Sequence, residues 1–321
     1  MSRSLCVHIG LPKTATTTLQ RGLFANHPEI EFLGKRAGHQ TEPGLRRCSS
    51  EAAFRLGNQL FWDHARSIDV DEAKRLYREE ILPTTLPNRT LVFSFEGLAA
   101  SGLEVRKAVA KNLRDVFGSC RIIIGIRRPV DLVEALHFQR MKRRHLGVEA
   151  GHFGLLRSPS TEEWLDSVVA GSELAEHLDY ARTARIFVEE LGRANVAVFA
   201  LEYLKAEPDD FARSLCEFLE IDTQQGVRLL EGRRHNVRLT QPVVDRMLHF
   251  ERPGIRSALY AMSGRAIRKR ILRVSRSEGS QDARLPISQE AHESIEARTR
   301  EGNRWIAKEW GLPLEEYGYA V

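Results

Sequence analysis

Four apolar runs recur along the chain, each followed by residues whose apolar positions return at helical spacing. Leu5–Ile9 comes first and is broken by Gly10-Leu11-Pro12; Thr90–Phe95, Arg121–Ile126 and Asn195–Leu201 follow. Arg121–Ile126 (RIIIGI) is nearly all apolar, the pattern of a central strand covered on both faces. After the first run, Thr16-Thr17-Thr18 supply N-cap candidates for a helix carrying Leu19, Leu23 and Phe24. Further helices are predicted over about 49–82 and 105–117, then from Pro129 through Leu132, Val133, Leu136 and Met141, and near 162–170, 178–191 and 209–219. Strands alternating with helices at this spacing predict an α/β protein. The expected form is a three-layer sandwich with a central, mostly parallel sheet and helices on both faces.

The last third carries helical periodicity and no strand signal. We therefore expect one nucleotide-binding α/β domain over 1–240 and a helical C-terminal extension over 241–321 packed on it, with Ser275–Arg284 as the best linker candidate. Gly147, Gly151 and Gly154 mark a loop, either over a site or idle on the surface.

Composition narrows the class. Of 321 residues, 42% are hydrophobic and 28% charged, which excludes general disorder. Cys6, Cys48, Cys120 and Cys216 lie far apart without a CxxC pair, the usage of small hydrophobes in a reducing compartment. The first apolar run is too short for a secretory signal and no run has transmembrane length, so a cytoplasmic location is expected. The net charge of +5 suits an anionic ligand, an anionic polymer or a membrane surface, and equally a solvated basic face. Much of it collects in Arg252–Arg276, which holds no acidic residue, while Ile255, Leu259, Met262, Ile267, Ile271 and Val274 recur at helical spacing. Such a segment fits an anionic glycan, an anionic membrane, or the solvated face of a bundle. No nucleic-acid-binding motif is present.

The densest chemistry follows the first strand: His8-Ile9-Gly10-Leu11-Pro12-Lys13-Thr14-Ala15-Thr16-Thr17-Thr18-Leu19. A strand-to-helix turn aims backbone N–H groups at one point, the helix dipole adds positive charge, and Lys13 with the threonine hydroxyls completes an anion cradle. It is not the Walker A loop, which ends in Gly-Lys-Ser/Thr. Of the carboxylates a kinase needs for magnesium, only Glu96 follows the Thr90–Phe95 strand, and none directly follows Arg121–Ile126.

This loop resembles the 5′-phosphosulfate loop of the sulfotransferases that use 3′-phosphoadenosine 5′-phosphosulfate (PAPS), whose pattern is close to G-x-x-K-T-G/A-T-T-x-L. Gly10, Lys13, Thr14, Ala15, Thr16, Thr17 and Leu19 stand in the matching positions. The family's 3′-phosphate segment, close to R-N-P-x-D-x-x-x-S, is similar to Arg127-Arg128-Pro129-Val130-Asp131 through Ala135, where alanine replaces the serine. Arg128, Arg233, Arg234 or Arg238 would then supply the missing donor, or 3′-phosphate recognition is weak; as surface residues they would equally form ion pairs. Leu178-Asp179-Tyr180 through Glu202-Tyr203-Leu204, and Gly302-Asn303-Arg304-Trp305 with Glu316-Tyr317-Gly318-Tyr319, resemble later family blocks, the last typical of bacterial, often carbohydrate-directed members.

The resemblance implies a PAPS-dependent transfer of a sulfuryl group to a hydroxyl or amine, on a carbohydrate or glycolipid, with PAPS as co-substrate and no metal. It implies Lys13 on the leaving phosphate, Gly10 and Thr14 to Thr18 around the 5′-phosphosulfate, and Arg127 with Arg238 on the nucleotide. Glu96 leads as the base: a carboxylate in an apolar setting has a raised pKa, suited to proton abstraction. His137 and His8 are alternatives, and Glu96 would otherwise cap a helix or pair with an arginine. A small-molecule kinase and a non-catalytic nucleotide-binding protein are the competing readings, the second favoured by Ala135.

Overall fold

The computed structural model describes residues 5–35, 48–61, 67–98, 102–146, 161–169, 177–232, 239–252, 254–277 and 281–321. The chain divides into two compact units. One comprises Met1–Arg128, Glu173–Asn236 and Ala297–Val321; the other comprises Pro129–Ser172 and Val237–Glu296.

The first unit is built on a five-stranded sheet: β1 (Leu5–His8), β2 (Ile30–Lys35), β3 (Thr90–Ser94), β4 (Arg121–Ile126) and β5 (Val196–Ala200). Their order is β2-β3-β1-β4-β5, and every pairing is parallel. Strands β1, β3 and β5 are buried along their whole length, as their apolar runs require. Cys6, Val92, Ile123 and Phe199 point to one face, where they pack with Leu19, Leu23, Phe24, Phe211, Leu215 and Leu219. The alternate residues serve the other face, where Phe61 meets Phe93 edge-on at 5.8 Å between centroids and the helix Tyr180–Leu191 lies against β4 and β5. The α/β architecture with a parallel sheet between helical layers is thus the observed fold.

Three departures have local causes. Strand β2 has one sheet neighbour and a register shift between Phe32 and Gly34, so its sequence (IEFLGK) lacks the uninterrupted apolar run of the inner strands. The helix expected over 49–82 is broken: Ser50 caps Glu51–Leu60 by accepting from Ala53 N at 3.1 Å, and Asp69 caps Val70–Arg75 by accepting from Glu72 N at 3.0 Å. The threonines after the loop are not N-caps. Ala15 occupies the cap in a left-handed conformation without a side-chain cap bond, and Thr16–Thr18 form the first turn, continued by the π-helical stretch Leu19–Phe24.

The second unit is helical: Pro129–His145, Thr161–Val169, Gln241–Glu251, Ile255–Met262 and Arg265–Ser277. Trp164 is buried and its indole donates to Val133 O at 3.2 Å. His145 is fully buried between Glu251 Oε1 at 3.1 Å and the Tyr260 hydroxyl at 3.3 Å, and Glu134 accepts from Leu285 N at 2.8 Å. These polar pairs join segments of this unit more than a hundred residues apart in sequence. At the two ends of the linker candidate, Ser275 is helical and Asp282 bridges to Thr240. The glycine loop at 147–160, Arg233, Arg234 and Arg238 lie outside the described residues. No helix among the described residues is long and apolar enough to cross a membrane.

Ile123, fully buried in β4 between β1 and β5, tests the core. Ile123→Ala is expected to lower the unfolding free energy by about 2–5 kcal/mol, read from urea unfolding at unchanged m-value.

Candidate functional site

In the first unit, β1 lies between β3 and β4, so connections leaving its carboxyl end and those of its neighbours open away from one another. Such a switch point leaves a crevice outside the strand ends. Three sequence candidates stand there: the loop after β1, Glu96 after β3 and Arg127 after β4.

The loop is held against β4 and the residue that follows it. Ile9 N donates to Ile123 O at 2.8 Å, Leu11 N to Gly125 O at 3.4 Å, and Arg127 Nη1 to Lys13 O at 3.4 Å. Within it Lys13 and Ala15 take positive φ, 71° and 62°, a conformation that costs a non-glycine residue on the order of 1–2 kcal/mol. Alternating handedness in a turn turns successive N–H groups inward, making an anion-binding concavity. Close packing enforces this shape. A Cβ on Gly125 would fall 2.7 Å from Thr14 Oγ1, and one on Gly10 would fall 2.8 Å from both Thr16 Cγ2 and His8 Nε2.

The Thr14 hydroxyl donates to Leu11 O at 2.7 Å, so this side chain braces the loop. Thr14, Thr16 and Thr18 are buried, while Lys13, Ala15 and Thr17 are half-buried.

Gln20, four residues past Thr16 and buried, escaped sequence reasoning. Its Nε2 donates to Ser94 Oγ at 2.8 Å and to Glu96 Oε1 at 3.2 Å, tying the helix after the loop to the end of β3. Ser94 Oγ also bonds His8 Nδ1 at 2.8 Å, so the buried His8 belongs to the strand scaffold. The setting of Glu96 is therefore partly polar, with Phe95 on one side and an amide on the other. A polar residue at a buried helix position, between Leu19 and Leu23, was the available signal for Gln20.

Arg127 and Arg128 are gripped through their backbones. Tyr180 donates its hydroxyl to Arg127 O at 2.7 Å; Glu202 accepts from Arg128 N at 3.4 Å and, through Oε2, from the Tyr319 hydroxyl at 2.7 Å. Burial, then the nearby Glu202 charge, pushes the Tyr319 phenol well above its ordinary value, so it stays protonated and donating. Asn303 Nδ2 holds the tail by donating to Ala320 O at 2.9 Å. The Arg127 guanidinium carries a buried Nε that has no hydrogen-bond partner among the described residues. A buried guanidinium N–H left so is a donor suited to a phosphate oxygen.

Two predicted residues stand in the second unit. Ala135 is half-buried on the helix Pro129–His145. On the same helix His137 is buried edge-on to Trp164 and Phe138, each 5.7 Å away, and burial lowers its pKa against the opposing charge of Glu251. Its surroundings are those of a packed histidine. Among the described residues, no group of three or more His, Cys, Asp or Glu is placed to hold a metal ion.

No protein-family model and no curated protein matches the sequence. Among solved structures, the chain is similar to a sulfotransferase from Alicyclobacillus acidocaldarius, at 18% identity and a TM-score of 0.44 over 70% of this chain and 83% of that one. It is also similar to the sulfotransferase domain of the curacin biosynthetic pathway, at 14% identity and a TM-score of 0.45 over 92% and 97%. A third similarity is to the sulfotransferase domain of the Synechococcus PCC 7002 olefin synthase, at 13% identity and a TM-score of 0.41 over 92% and 94%.

The Gly125–Thr14 contact makes a testable pair. Gly125→Ala alone is expected to destabilise by about 1–3 kcal/mol through overpacking. Combined with Thr14→Ala it is expected to cost less than the two single changes summed, read as a coupling in a double-mutant cycle by urea unfolding.

Proposed function

We propose that the chain is a sulfotransferase that takes the sulfuryl group of PAPS and passes it to a hydroxyl or amine, releasing adenosine 3′,5′-bisphosphate. The observation that carries this reading is the pairing of a doubly left-handed turn at Lys13 and Ala15 with Arg127, whose guanidinium touches that same turn. One ligand carrying phosphate groups at both ends of a ribose suits a cradle and an arginine so close together. The Lys13 position, three residues after Gly10, and the absence of a magnesium carboxylate after β4 weigh against a triphosphate.

The roles follow from chemistry. The turn amides around Thr14 to Thr18 and the helix N-terminus hold the 5′-phosphosulfate, while Arg127 Nε and its neighbouring nitrogens meet the 3′-phosphate. Glu96 removes the acceptor proton, the acceptor oxygen or nitrogen bonds to sulfur, and the bond from sulfur to the bridging oxygen breaks. Lys13 stabilises the charge that develops on that oxygen. The mixed anhydride already carries the activation, and a terminal sulfate bears less charge than a terminal phosphate, so these cationic and amide donors suffice without a metal.

We infer a carbohydrate or glycolipid hydroxyl as the acceptor, on the resemblance of the Glu316–Tyr319 ending, and a cytoplasmic setting, which the four free thiols suit. Ala135 favours the second reading, a binding protein without turnover; transfer of labelled sulfate from PAPS to any acceptor would exclude it.

Lys13→Ala is expected to lower kcat by about 10²–10³-fold while leaving thermal stability nearly unchanged. Glu96→Gln is expected to lower kcat by about 10²–10⁴-fold with little change in nucleotide affinity. Arg127→Ala should weaken adenosine 3′,5′-bisphosphate roughly 10–100-fold in calorimetric titration, and adenosine 5′-monophosphate much less. Binding of ATP tighter than adenosine 3′,5′-bisphosphate would overturn the reading in favour of a kinase.

A further inference from the structure

The second unit carries a surface helix whose amphipathic sense is reversed. In Ile255–Met262 the buried residue is Tyr260, which stacks on Phe250 with ring centroids 4.0 Å apart and meets His145 through its hydroxyl. The large apolar residues lie on the opposite side: Ile255, Leu259 and Met262, spaced i, i+4 and i+7, are 82%, 63% and 84% exposed. Scattered apolar residues on a surface are ordinary, but a complete stripe on one helix face is not.

The next helix, Arg265–Ser277, also exposes apolar and basic residues. Leu272 and Ser275 are buried, whereas Ile267 and Val274 are each 56% exposed, beside exposed Arg265, Lys269, Arg270 and Arg273. Arg268 is turned inward, donating to Ser263 O at 2.9 Å and lying over the Tyr260 ring. From Arg252 to Ser277 the sequence holds no acidic residue, and Glu251, just before it, is committed to His145. The two helices therefore expose apolar side chains and cations, with no acidic residue in the sequence between Arg252 and Ser277.

We propose that these two helices form an interfacial docking surface for an anionic lipid bilayer. Its Ile255–Leu259–Met262 stripe enters the headgroup and acyl boundary while Arg256, Arg265, Lys269, Arg270 and Arg273 meet lipid phosphates. Charge opposes a symmetric pairing with a second copy of the chain, which would face two cationic clusters against each other. An anionic glycan would satisfy the cations and leave the apolar stripe in water. An anionic bilayer matches both chemistries. The surface stands whether or not the chain transfers sulfate, because it shares no residue with the loop site.

Vesicle sedimentation of the full chain tests it, using phosphatidylcholine alone against phosphatidylcholine with about 30% phosphatidylglycerol, with heparin binding measured in parallel. The expected result is binding to the anionic vesicles only, weakened by salt. The triple variant Ile255→Ser, Leu259→Ser, Met262→Ser is expected to lose vesicle partitioning at least about tenfold and keep heparin binding, with an unchanged circular dichroism spectrum. Charge reversal at Arg265, Lys269 and Arg273 should abolish both. If the serine variant sediments with vesicles as the wild type does, the site is a polyanion site and the proposal fails. It fails also if equal binding to neutral vesicles is found, or if the wild type is a dimer that the serine changes dissociate without affecting lipid binding. Leu259→Trp, which retains the apolar character, gives a readout that needs no loss: its emission should be quenched by brominated anionic lipid beyond the quenching of the wild type, and unaltered quenching overturns insertion.

Discussion

Strand β4 sets the shape of the loop, and the site depends on that contact. Backbone bonds from residues 9 and 11 to 123 and 125 carry the pairing past the last residue of β1, and the Arg127 side chain then reaches Lys13 O. Two non-glycine residues are held left-handed in that span, at Lys13 and Ala15, a strain that persists only where surrounding contacts over-determine it. Here those contacts are the missing side chain at Gly125, the Thr14 hydroxyl on Leu11 O and the Arg127 guanidinium on Lys13 O. The turn is thus preorganised by the sheet, so a bound anion need not order it.

The ruler must itself be fixed, and the chain's last residues do that. Tyr180 holds Arg127 from one side and Glu202 holds Arg128, while Tyr319 occupies the second oxygen of Glu202. The tail reaches this position because Asn303 binds Ala320 O and Trp310 donates to Val196 O at 2.8 Å, anchoring the preceding helix to the start of β5. Residues that pattern alone assigns to packing are therefore the supports of the arginine. A phenol that burial keeps protonated is a suitable support, since it remains a donor to the carboxylate.

What the sequence revealed and what it concealed follow one rule. The inner strands were legible because burial on both faces demands unbroken apolar runs, and the loop was legible because its chemistry is dense over twelve consecutive residues. Strand β2 was not, because an edge strand with a register shift needs no such run. The pairings inside the helical unit, Glu134 with Leu285 and His145 with Glu251, were not legible, because they join distant segments whose local patterns look self-sufficient. Gly125 read as one more small residue in a strand, although the close approach of Thr14 is what it permits. Local periodicity reports which face is buried; it does not report what the face is buried against.

Gln20 illustrates the same limit at the level of chemistry. It rises from the helix that begins in the phosphate loop, and both acceptors of its amide, Ser94 and Glu96, belong to the end of β3. An amide with its two hydrogens directed at neighbouring acceptors fixes the rotation of the carboxylate as well as its distance. The position of Glu96 is consequently referred to the loop helix and not only to its own strand. Since that helix is also positioned by Ala15 O accepting from Thr18 N and Leu19 N, at 2.8 and 3.1 Å, the turn and the carboxylate share one frame. A residue placed at an unremarkable motif position thereby decides whether the two halves of the site keep a constant separation.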